Sequence, residues 1–69
     1  MKIIVHIQGN SEKTFSSITE ALSFARLQVY ATQATIIRAF DALQDGNLTQ
    51  WDYGFTSVAV YPENWQSSG

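Results

Sequence analysis

Apolar and polar residues alternate near both ends of the chain, and between them the apolar positions recur at helical spacing. Residues 2–8, KIIVHIQ, place Ile3, Val5 and Ile7 on one face of a strand and Lys2, Ile4, His6 and Gln8 on the other. Gly9-Asn10 and Ser11-Glu12 are turn chemistry, and Lys13-Thr14-Phe15 suits a short return strand paired with the first. Ser17-Ile18-Thr19-Glu20 has the spacing of a capping box. In such a box the Ser17 hydroxyl accepts from the Glu20 amide, and the Glu20 carboxylate reaches back to the Ser17 amide. Helix formers follow. At about 100° per residue, Ile18, Ala21, Leu22, Ala25 and Val29 form one core-facing stripe, which leaves Phe24 and Leu27 on the far side.

Two readings fit the segment from Ala31 to Gln44. Helical phase continues through Val29, Thr32, Ile36, Ala39 and Leu43, consistent with one long helix or two in phase, ending at Gly46 as a C-cap. A single helix of about 28 residues would run about 42 Å, too long for the core the other residues can build. The same stretch is rich in β-branched and aromatic residues (Thr32, Thr35, Ile36, Ile37, Phe40), and Asp45-Gly46 is a favoured hairpin centre. The composition and the turn favour a strand from about Ala34 to Leu43, a hairpin at Asp45-Gly46, and a strand again from Leu48.

The last strand presents a conflict of parity. Trp51, Tyr53 and Phe55 occupy alternate positions, yet Val58 and Val60 fall on the opposite parity. A bulge or bend at Gly54 would switch the face and let Trp51 and Tyr53 point inward together with Val58 and Val60. Pro62 ends the strand. The expected architecture is α+β: a small two-layer domain over residues 1–65, with an antiparallel three- to four-stranded sheet in the order β-(β)-α-β-β. One helix packs on one sheet face, the other face is bare, and residues 66–69 form a flexible tail with Trp65 as its anchor.

Composition narrows what such a domain can do. Sixty-nine residues support one core of thin margin, and 45% apolar with 13% aromatic residues makes that core dense or dependent on self-association. Homodimerisation is therefore one expectation. With no cysteine, a disulfide framework and a thiolate metal site are excluded. The net charge is −2, but unevenly placed. Lys2, Lys13, Arg26 and Arg38 outweigh Glu12 and Glu20 in residues 1–38, whereas beyond them stand Asp41, Asp45, Asp52 and Glu63 with no Lys or Arg. The aromatic stretch thus lies in an acidic half that suits a protein partner better than a phosphate backbone. Neither a secretory leader nor a membrane span is apparent, so a cytoplasmic location is expected.

No constellation for catalysis emerges. His6 is the only histidine and lies on the polar parity of the first strand, so triad and metal-ligand arrangements lack their parts. Asp41, Asp45 and Asp52 are ordinary turn and surface carboxylates. No cofactor is implied, because the glycines are scattered rather than gathered in a phosphate loop. The stretch ATIIRAFDALQDGNL resembles the recognition helix and wing entry of winged-helix regulators, which implies nucleic-acid binding with Arg38 as its one basic contact. A small-ligand-binding dimer, closed over the bare sheet face, is a further alternative. The leading expectation is a non-enzymatic protein-binding module that inhibits or modulates a larger protein or nucleoprotein complex. In size and class the chain is similar to small phage and mobile-element inhibitors, anti-CRISPR proteins among them. The expected binding residues are Trp51, Tyr53, Phe55, Phe24 and Leu27, with Asp45 and Asp52 at the rim.

Overall fold

The N-terminal alternation forms β1 (Ile3–Ile7) and β2 (Lys13–Phe15) in the computed structural model, which describes residues 1–65. Then follow α1 (Ile18–Gln28), α2 (Gln33–Gln44), β3 (Thr49–Tyr53) and β4 (Thr56–Pro62). The four strands form one antiparallel sheet in the order β2-β1-β4-β3. Ile3, Val5 and Ile7 of β1, Val58 and Val60 of β4 and Trp51 of β3 share a core with Ala21, Leu22 and Ala25 of α1 and Ala39 and Leu43 of α2. Both helices therefore cover the same sheet face.

The first helix begins as its spacing predicts, with one change of partner. The Glu20 amide donates to Ser17 Oγ at 3.1 Å. The Glu20 carboxylate, however, accepts from the hydroxyls of Ser16 and Ser17 rather than from the Ser17 amide. The predicted stripe is the buried one: Ala21, Leu22, Ala25 and Val29 are buried and Ile18 is half-buried.

Residues 34–43 are helical, not a strand, so the domain has two helices rather than one. In a helix, Ile36, Ala39, Phe40 and Leu43 fall on one face, and Ala39 and Leu43 are fully buried there. Helical Thr35, Ile36 and Ile37 each cost at most about 0.7 kcal/mol relative to alanine. Burying a side chain the size of leucine or phenylalanine contributes about 1.5–3 kcal/mol, so packing outweighs propensity. A single long helix is not formed either, because Val29 is extended (φ −132°, ψ 110°) and Thr32 caps a second start by accepting from the Thr35 amide at 3.2 Å.

Asp45-Gly46 likewise ends α2 instead of turning a hairpin. Gly46 has φ +80°, its amide donates to the Leu43 carbonyl at 3.0 Å, and the Asn47 amide donates to the Ala42 carbonyl at 2.9 Å. Those two bonds make a Schellman motif with glycine in its left-handed position. The true hairpin lies at Gly54-Phe55, where a bulge or bend within one strand was expected. Gly54 has φ +64° and Phe55 has no positive φ, which defines a two-residue type II′ turn between Tyr53 and Thr56. The parity conflict is thereby removed: Trp51 pairs directly across from Val58 and Thr49 from Val60, so both sets face the helices.

The opposite face of the sheet carries Ile4, His6, Gln8, Gln50, Asp52, Ser57 and Tyr61, by the same alternation. No helix among the described residues packs there, and none is long and apolar enough to cross a membrane. Trp65 meets Tyr61, with ring centroids 5.9 Å apart. The expected tail at 66–69 lies outside the described residues.

Candidate protein-binding surface

The exposed aromatic residues gather where the α1–α2 connection meets the β3–β4 turn. Breaking the helix at Val29 leaves its carbonyl free, and the indole Nε1–H of Trp51 donates to it at 2.8 Å. That bond fastens the connection to β3. One residue beyond Val29 and two beyond Trp51, Tyr30 and Tyr53 come together with centroids 5.3 Å apart and planes tilted by 60°. Both remain largely in solvent, at 60% and 63% exposure. Beyond them Phe55 stands at the second position of the tight turn, fully exposed. Leu27, in the last turn of α1, is also exposed.

Of the seven residues expected at a binding surface, Tyr53 and Phe55 fall within this cluster. Trp51 does not: it is buried on the helix-covered face, with its one polar atom satisfied. Tyr53 has the inward parity, but it lies beyond the end of the core and so stays in solvent. Phe24 is half-buried against the opposite edge of the sheet, where its ring packs on Phe15 at 5.3 Å beneath the Lys13 ammonium. The short strand β2 thus covers the residue that helical phase alone left outside. Leu27 keeps its outward position. Asp52 is exposed on the bare sheet face and Asp45 at the end of α2, so they do not form a common rim with the aromatics by parity or by element.

Two features had weaker sequence signals. Ile37 is exposed on α2; it follows Ile36 by one helical step and so leaves the core face, which a strand assignment conceals. Tyr61 donates its hydroxyl to Glu12 Oε2 at 2.5 Å across 49 positions of sequence. This bond to Glu12, with partial burial and the repulsion of a phenolate by the carboxylate, pushes the Tyr61 hydroxyl up to about 12. A shallow groove of about 600 Å³ runs along the bare face between His6, Gln8, Gln50, Asp52 and Ser57. Its polar groups are largely exposed, and Gln8 and Ser57 already bond each other at 2.9 Å. Among the described residues no three histidine, aspartate or glutamate side chains converge to hold a metal ion.

The fold and its surface define a small α+β domain: a four-stranded antiparallel sheet backed by two helices, with an aromatic hairpin tip. Comparison with protein-family models, curated proteins and solved structures finds no match to this chain.

Proposed function

We propose that this chain is a non-enzymatic binding module that inserts its hairpin tip into an apolar recess of a larger protein and so inhibits or modulates it. The observation that carries this reading is Phe55. A type II′ turn needs glycine at its first position and asks nothing aromatic of its second. Phe55 has no packing role among the described residues, yet it stands on a two-residue turn that begins next to Tyr53, the partner of Tyr30. An exposed aromatic on a tight turn offers a large apolar area with only two side-chain torsions to restrict on docking, which suits an interface hot spot.

The winged-helix resemblance supports nucleic-acid binding less well. Helix and hairpin do follow each other, but Asp41 projects from α2 one turn beyond Arg38 and about 60° around the helix, so a phosphate approaching Arg38 meets a carboxylate. A cytoplasmic setting and a phage or mobile-element origin belong to the same proposal and rest on size and composition.

Affinity capture from the native host tests it, with the full chain and its Phe55→Ser variant as paired baits and quantitative mass spectrometry as the readout. Loss of a hot-spot aromatic weakens binding by about 2 kcal/mol or more, roughly thirtyfold. A protein enriched by the native chain is expected to be lost from the variant, while the urea midpoint shifts by no more than about 0.5 kcal/mol equivalent. Equal enrichment by both baits would sink the proposal.

A further inference from the structure

The sheet has two edges, and only one is protected. β2 is three residues long and carries Lys13, two of the devices that discourage strand addition. β3 is longer, at five residues, with Asp52 as its one charge and no proline, lysine or arginine, and its one-to-one register with β4 leaves no bulge. The hydrogen-bond ladder identifies its free groups. The Gln8 amide donates to the Ser57 carbonyl at 2.9 Å, so the backbone groups of Ser57 point toward β1. By alternation those of Thr56, Val58 and Val60 point toward β3 and take up Tyr53, Trp51 and Thr49. The amides and carbonyls of Gln50 and Asp52 therefore face outward, without a strand beside them among the described residues. Both side chains are exposed as well.

We propose that β3 pairs antiparallel with β3 of a second copy, Gln50 lying opposite the partner's Asp52 and Trp51 opposite the partner's Trp51 at the two-fold axis. The free backbone groups are symmetric about Trp51, so this register lets each Gln50–Asp52 pair exchange both of its backbone bonds. It also sets a carboxylate beside an amide donor on the bare face. Sliding the strands by two residues toward the turn would set the two Asp52 carboxylates against each other, a destabilising apposition. Sliding them by two the other way would set Asp52 opposite the partner's Leu48. On the helix-covered face Tyr53 falls opposite the partner's Thr49. Because α2 packs against β3 and β4, the two α2 helices then lie on the same face of one eight-stranded sheet. The protected β2 edges close that assembly at a dimer rather than a fibre. Paired five-residue strands cover less than the roughly 1,200 Å² of a tight complex, so the dimer is expected in the micromolar range.

This pairing does not rest on the hairpin-tip reading, and Phe55→Ser is expected to leave it unchanged, so either can fail alone. Sedimentation equilibrium of the full chain from about 1 to 500 μM tests the pairing. The native mass is expected to rise from 7.7 kDa toward twice that value. Gln50→Pro removes only an outward amide, so it should keep the far-ultraviolet circular dichroism and remain monomeric. Charge variants test the register even if that variant does not fold. Gln50→Lys faces the partner's Asp52 and should tighten the dimer about fivefold, whereas Gln50→Asp should weaken it about fivefold. A mass fixed at 7.7 kDa, a folded Gln50→Pro dimer of native strength, or weakening by Gln50→Lys would each overturn the proposal.

Discussion

Ile3 and Ile4 are adjacent residues of one type, both buried, and they face opposite sides of the sheet. Ile3, fully buried, belongs to the cluster shared by both helices. Ile4 lies outside that cluster, between its cross-strand neighbours Thr14 and Tyr61, on the face that no helix covers. The helix-covered face is held by close packing of aliphatic side chains. The bare face is held by cross-strand pairs, by the contact of Tyr61 with Trp65, and by hydrogen bonds that tie distant segments together, Tyr61 to Glu12 and Ser57 to Gln8. One isoleucine is thus enclosed by groups that have no other place to go. The other is screened by side chains that can rearrange.

Substitution at both positions is the strongest way to break this contrast. Ile3→Ala should lower stability by about 2–5 kcal/mol, because the helices and β4 cannot close the void. Ile4→Ala should cost less, about 1–2 kcal/mol, as Tyr61 and Trp65 settle into the space. Urea unfolding curves would compare them, and equal losses would mean that the bare face holds a second core of equal weight. Next in size is Trp51→Phe, which keeps most of the buried ring but leaves the Val29 carbonyl without its donor. A loss of about 1–3 kcal/mol is expected, with loosening of the α1–α2 connection visible as faster amide exchange near Tyr30.

The smallest effect concerns the bare face alone. The Tyr61 hydroxyl titrates near 10 in an unfolded chain and is pushed up to about 12 in the fold, chiefly by its bond to Glu12. A raised phenol favours the folded state while it is protonated. Its contribution is therefore present in full below about pH 10 and is lost as the pH climbs through about 12. Thermal melts across that range should show a decline that Tyr61→Phe reduces. Unchanged pH dependence in the variant would show that the Tyr61–Glu12 bond contributes nothing to stability.

Much of the fold was legible because its signals are local. Strand alternation placed Ile3, Val5 and Ile7 on one face, and the Ser17–Glu20 spacing marked the start of α1. The second helix was not legible, because Thr35, Ile36 and Ile37 favour strands by themselves, and only the burial of Ala39 and Leu43 against the sheet overrides that preference. Half of the aromatic surface was visible in the alternation of Tyr53 and Phe55. Its other half, Tyr30, comes alongside through the Trp51–Val29 bond, a contact between residues 22 positions apart that no local pattern encodes.

Gly46 and Gly54 show where the division falls. Gly46 follows Asp45, a turn former, whereas Gly54 follows Tyr53, a strand former, yet each has a positive φ, +80° and +64°. By itself the chain marked both places as breaks in regular structure, a hairpin at Gly46 and a bulge or bend at Gly54, since glycine occupies that region without steric penalty. Whether a turn ends a helix or joins two strands depended on what the preceding residues bury, and therefore on the tertiary structure. Before Gly46, Ala39 and Leu43 enter the core through a helix; before Gly54, Trp51 enters it through a strand paired to β4. The same packing left Phe55 in solvent and the β3 edge open, because the side chains and backbone groups there meet nothing further among the described residues.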